Sequence, residues 1–84
     1  MNLPIKNQTV LITGAGRGLG AEIARSFYRE GAKVIINYRK SYSKAKDLSN
    51  SLGQNTFLVQ GDIRNKDEVI KMNDNLVKKD LIPT

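Results

Sequence analysis

The 84-residue chain contains no cysteine and no histidine. Without cysteine it forms no disulfide and offers no thiolate to a metal ion, and without histidine as well no zinc site is expected. No apolar run approaches the roughly 20 residues that cross a bilayer, and residues 1–6 lack the apolar core of a signal peptide. We therefore expect a soluble, cytoplasmic protein with no membrane partner and no bound metal.

Acidic residues are also scarce. Eight Asp and Glu stand against fourteen Lys and Arg, for a net charge of +6. Such an excess raises the possibility of a nucleic-acid partner. The basic residues, however, are spread along the chain rather than gathered in one block, and aromatic residues make up only 6% of it. A solvated basic surface is the favoured interpretation, and no nucleic-acid partner is predicted.

Glycine, by contrast, is concentrated between Thr13 and Gly20, where four glycines alternate with other residues. The short apolar run Thr9–Ile12 before this segment is typical of a buried strand. Apolar residues after it recur at helical spacing, namely Leu19, Ile23, Ala24, Phe27 and Tyr28. A strand, a glycine turn and a helix in this order can bring backbone N–H groups and a helix N-terminus to a diphosphate. A purely structural turn is the alternative.

The spacing Thr13-Gly14-x-x-x-Gly18-x-Gly20 resembles the glycine motif of the short-chain dehydrogenase/reductase family. The more common dinucleotide fingerprint would have a third glycine where this chain has Leu19. The resemblance implies that this loop binds a nicotinamide dinucleotide. The loop residues assigned to the cofactor are Gly14, Gly16, Arg17, Gly18, Leu19 and Gly20.

Two further strand and helix patterns follow the first. Strands are predicted at Lys33–Tyr38 and Thr56–Val59, with Gly53 ending the second helix and Asn65 capping the third. The order βαβαβα predicts a partial Rossmann fold, a parallel three-stranded half-sheet of a doubly wound α/β sheet with strand order 3-2-1. We expect one segment over residues 1–84. Members of the family are longer, so we also expect truncation before strand four.

The residues after the second strand bear on the choice of cofactor. In the family, an acidic residue at position 38 bonds the ribose hydroxyls of NAD, whereas a neutral residue followed by arginine accommodates the 2′-phosphate of NADP. This chain has Tyr38-Arg39, and a guanidinium can make charge-assisted bonds to a phosphate. NADP (NADPH) is therefore the predicted cofactor, with Arg17, Lys40 and Ser41 assisting. The alternative is that Arg39 is an ordinary exposed loop residue.

The resemblance also implies an adenine pocket after the third strand. Asp62 would accept a hydrogen bond from the adenine amino group, and Ile63 would supply backbone and apolar contact. The alternative for Asp62 is a turn aspartate that binds local N–H groups. Asn37 is assigned to the same pocket, although asparagine is also common at strand ends.

Tyr42 and Lys46 satisfy the Tyr-x-x-x-Lys pattern that the family uses for proton transfer. The family's pair lies far downstream and follows a catalytic serine, so here the spacing is interpreted as a turn of a surface helix, and no catalytic residue is assigned. The expected function is that of an NADP(H)-binding N-terminal segment, nearest in pattern to 3-oxoacyl-acyl-carrier-protein reductases. A non-catalytic nucleotide-binding module and an inactive truncated product remain alternatives. Full-length relatives are expected to be homo-oligomers.

Overall fold

The computed structural model describes residues 5–14 and 18–83. Within them three strands alternate with three helices, and both strand pairs are parallel, in the order β1-β2-β3. The elements are β1 (Thr9–Thr13), α1 (Gly18–Arg29), β2 (Lys33–Tyr38), α2 (Tyr42–Leu52), β3 (Thr56–Gln60) and α3 (Lys66–Lys78). The predicted half-sheet and its strand order are confirmed.

Strand β2 lies at the centre of this sheet. Its residues Val34, Ile35 and Ile36 are completely buried, as expected for a parallel strand that is covered on both faces. Val34 and Ile36 pack with the buried alanines of α1 and with Ala45 and Leu48 of α2, whereas Ile35 packs with Met72 and Leu76 of α3. Helices α1 and α2 therefore cover one face of the sheet, and α3 covers the other.

The predicted helix ends are confirmed at two positions. Asn65 caps α3, and its side chain accepts hydrogen bonds from the backbone N–H groups of Asp67 (3.0 Å) and Glu68 (3.2 Å). Gly53 ends α2 with a φ of 113°, a backbone conformation that favours glycine. The sequence therefore determines where α2 stops and where α3 starts.

The apolar residues that indicated α1 are not all buried. Ala21 and Ala24 face the core, whereas Leu19 is 77% exposed and Ile23 is 39% exposed. At about 100° of rotation per residue, Leu19 and Ile23 lie roughly 100° or more around the helix from Ala24. Small side chains on the buried side let α1 approach the sheet closely, and the larger ones stay on its flank.

Candidate functional site

The candidate site lies where the three strands end. Strands β1, β2 and β3 are parallel, so the residues that follow Thr13, Tyr38 and Gln60 meet at one edge of the sheet. In open α/β sheets, ligands bind at this carboxyl edge. A groove of about 330 Å³ is found there, lined by Thr13, Gly14, Asn37, Arg39, Gly61, Asp62, Ile63 and Arg64.

Five of the residues predicted from the sequence line this groove: Gly14, Asn37, Arg39, Asp62 and Ile63. They come from three separate loops or strand ends, which the parallel topology brings together.

A larger groove of about 850 Å³ lies beside β3, between α2 and α3. It runs along the flank of a strand rather than at the carboxyl edge, so the smaller groove is the candidate ligand site.

The other predicted site residues lie around the groove or outside the described residues. Gly18 opens α1 and lines a neighbouring cleft between α1 and α2, and the Leu19 side chain projects into solvent. Gly20 follows within α1, and exposed Ser41 precedes α2 without a side-chain capping bond. The Tyr38 ring meets the Tyr42 ring edge-on, with centroids 5.6 Å apart. Gly16 and Arg17 fall outside the described residues.

Two glycines at the start of the site have left-handed backbone conformations. The φ angle is 62° at Gly14 and 63° at Gly18, values that residues with a Cβ atom rarely adopt. A Cβ atom built on either residue would meet no atom of the described part of the chain within 4 Å. The backbone conformation thus favours glycine at both positions.

The Asn37 side chain joins the ends of two strands. It is 3% exposed, and its Nδ2 donates to the carbonyl oxygens of Val59 and Gly61, at 3.2 Å each, and contacts the Met72 sulfur at 3.6 Å. Asn37 therefore lines the groove while its amide N–H groups hold the end of β3 against β2. The turn that begins at Gly61 is fixed by this contact.

Asp62 is surrounded by donors. Its Oδ1 accepts from the Arg64 backbone N–H (2.9 Å) and from Arg64 Nε (3.1 Å), and its Oδ2 accepts from Arg64 Nη2 (3.2 Å). Arg39 Nη1 lies 3.5 Å from Oδ2. Asp62 thus binds a local N–H group, as in the turn interpretation, and also lines the groove. The backbone N–H of Asp62 donates to Glu68 Oε1 at 3.0 Å.

Arg64 belongs to the site, although none of the motifs predicted from the sequence includes it. The signal available was the Asp-x-Arg spacing directly after a strand, which lets an arginine fold back onto an aspartate two residues before it. Tyr42 and Lys46 lie outside the groove: Tyr42 begins α2, and Lys46 lines the separate groove beside β3.

Within residues 5–14 and 18–83, no three acidic side chains are grouped so that they could hold a metal ion. None of the helices in that same part of the chain is long and apolar enough to cross a membrane.

Sequence comparison relates the chain to known enzymes. The sequence model of the short chain dehydrogenase family matches residues 8–80. Versicolorin reductase stcU of Emericella nidulans is 38% identical over 80 residues, which make up 92% of this chain and 30% of that protein. Trihydroxynaphthalene reductase PfmaI of Pestalotiopsis fici is 34% identical over 77 residues, 88% of this chain and 27% of that protein. The chain thus spans less than a third of the length of these two relatives.

Solved structures share the fold. A short chain dehydrogenase from Burkholderia cenocepacia, in complex with NADP, has a TM-score of 0.80 and 28% identity over 92% of this chain and 33% of that one. The 3-ketoacyl-(acyl-carrier-protein) reductase from Brucella melitensis, complexed with NADH, has a TM-score of 0.80 and 31% identity, covering 89% of this chain and 31% of that one.

Proposed function

This chain belongs to the short chain dehydrogenase family, and on that premise we propose that its groove binds the adenosine part of a nicotinamide dinucleotide. The groove lies at the carboxyl edge of the parallel sheet, where such ligands bind in this type of fold. Solved relatives hold NADP and NADH. In this chain Gly14 and Gly18 would leave room for the diphosphate, while Asp62 and Ile63 would contact the adenine.

The observation that supports NADP over NAD is the position of Arg39. Its side chain is 46% exposed, lines the groove and has a 3.5 Å contact with the Asp62 carboxylate. Among the described residues, the charged side chains that line the groove are two arginines and one aspartate, one positive charge in excess; Glu68 lies outside this lining and accepts from the Asp62 backbone N–H. A phosphate on the ribose would be attracted by this charge, and the planar guanidinium of Arg39 can bind it through two parallel hydrogen bonds.

The test compares adenosine 2′,5′-bisphosphate with adenosine 5′-monophosphate by calorimetry. The bisphosphate is expected to bind more tightly, and Arg39→Ala to remove most of the difference. A hydrogen bond to a charged group contributes about 1.5–3 kcal/mol, or roughly tenfold to more than a hundredfold in affinity. Arg29→Ala, in the exposed last turn of α1, is the matched control. Equal binding of the two ligands by the unmodified chain would refute the preference for NADP.

We further propose that the chain forms the cofactor-binding part of a reductase acting on a carbonyl compound of the 3-oxoacyl thioester type. A bound nicotinamide supplies hydride in such enzymes. This chain's residues would hold and orient the adenosine end of the cofactor. The second candidate function is a nucleotide-binding module without catalysis. It is favoured because the Tyr42 ring lies against Tyr38 at the strand end proposed for the adenosine, and Lys46 lines the separate groove beside β3, so this pair does not form a site for a carbonyl.

A further inference from the structure

Arg64 supplies most of the hydrogen-bond donors that the Asp62 carboxylate binds. Its backbone N–H, Nε and Nη2 all donate to the Asp62 carboxylate, at 2.9, 3.1 and 3.2 Å. Two of these bonds come from one planar guanidinium and engage both carboxylate oxygens, which is the strongest geometry for such a pair. The Asp62 side chain is 21% exposed and the Arg64 side chain 71% exposed, so solvent screens the guanidinium, and the pair has the modest strength of a partly exposed ion pair.

Arg39 competes for the same carboxylate but is held more loosely. Its contact is a single approach of Nη1 to Oδ2 at 3.5 Å, which is longer than a charge-assisted hydrogen bond. If the Arg64 guanidinium were removed, Asp62 would have only one arginine among the groove residues. Arg39 could then close the remaining gap and pair fully with Asp62.

We propose that Arg64 is a positioning residue for ligand specificity: it occupies Asp62 and thereby leaves Arg39 available to a 2′-phosphate. This inference rests on the proposed binding of a nicotinamide dinucleotide in the groove. Arg64 need not touch the phosphate, since it acts through the shared carboxylate. The charge of the groove agrees with this role, because one arginine cancels Asp62 and the other keeps its positive charge for the ligand.

The experiment measures the ratio of the dissociation constants of adenosine 5′-monophosphate and adenosine 2′,5′-bisphosphate in four proteins: the unmodified chain, Arg64→Gln, Asp62→Asn and the double variant. Glutamine at position 64 keeps the backbone N–H that donates to Asp62 but removes the charged guanidinium group. The ratio should fall about two- to fivefold in Arg64→Gln, the size expected when a partly exposed ion pair must be broken before the ligand binds. In the Asp62→Asn background, Arg64→Gln should leave the ratio unchanged, because the competing carboxylate is gone.

Arg29→Gln is the control for overall charge, since it removes the same charge from the exposed last turn of α1. A fall of the ratio in this control equal to that in Arg64→Gln would overturn the inference. A fall that persists in the Asp62→Asn background would overturn it too, because Arg64 would then act on the phosphate directly. An unchanged ratio in Arg64→Gln refutes the inference alone, whereas an unmodified chain that does not prefer the bisphosphate refutes the proposed NADP preference itself.

Discussion

Replacing Asn37 with leucine removes the contact that holds β3 against β2 beside the groove. Nδ2 of Asn37 donates to the carbonyl oxygens of Val59 and Gly61, and the side chain is 3% exposed beside the groove. Leucine is similar in size but has no donor. Both carbonyl groups would lose this donor, and the leucine side chain would occupy the place from which a water molecule in the groove could replace it.

The cost follows from burial. A buried carbonyl that loses its donor costs about 1–3 kcal/mol, and apolar burial of the leucine offsets part of the loss of two such bonds. We expect a net destabilisation of about 2–3 kcal/mol. A domain of this length is stable by roughly 4–12 kcal/mol, and each 1 kcal/mol shifts the melting temperature by about 4–8 °C. The melting temperature should therefore fall by roughly 8 to 24 °C.

Thermal unfolding followed by circular dichroism measures this change. The control is Asn50→Leu, at an exposed position on α2, which adds the same apolar side chain without breaking a buried contact. A melting temperature of Asn37→Leu within about 2 °C of the unmodified chain would show that the two carbonyls do not depend on Asn37. An equal fall in both variants would assign the effect to added apolar surface.

Most of the fold could be predicted from local patterns, because each strand contains an apolar run and the end of α2 and the start of α3 are marked by Gly53 and Asn65. Strand β2 has the bounds expected from its apolar run, Lys33–Tyr38. Strands β1 and β3 each extend one residue further than predicted, to Thr13 and Gln60. These polar residues pair with Asn37 and Tyr38 of β2, so the neighbouring strand, rather than the residue's own polarity, decides where the strand ends.

The site was predictable only where topology alone determines a residue's place. Gly14, Arg39 and Asp62 each follow a strand, and parallel strands bring their carboxyl ends together, so their meeting in one groove follows from the βαβαβα order. The bonds of Arg64 and Asn37 depend on side-chain rotamers and on the path of the turn after β3. The Asp-x-Arg spacing permits the Arg64 contact without specifying it, and the place of Asn37 at the end of β2 does not specify which carbonyl groups its amide binds, so these bonds became visible only in the structure.

Three further predictions concern the glycine loop, the cap of α3 and the tyrosine of α2. Gly18→Val should abolish nucleotide binding measured by calorimetry, because valine is strained at a φ of 63° and its branched side chain would stand where the diphosphate is proposed to bind. Binding retained by a folded variant would refute the assignment of this loop to the diphosphate. Asn65→Ala should lower the free energy of unfolding by about 1 kcal/mol, because the N–H groups of Asp67 and Glu68 lose their acceptor. Urea titration measures this change, and an unchanged free energy of unfolding would show that the cap does not stabilise α3. Finally, the chain should not oxidise NADPH at an enzymatic rate with 3-oxoacyl thioesters or simple ketones, and Tyr42→Phe should make no difference. Reduction of a carbonyl requires an acid within hydrogen-bonding reach of the developing alkoxide, whereas Tyr42 begins α2 with its ring against Tyr38, at the strand end where the adenosine and not the nicotinamide is proposed to lie. Turnover that this substitution abolishes would place Tyr42 in the chemistry and refute its interpretation as a residue of a surface helix.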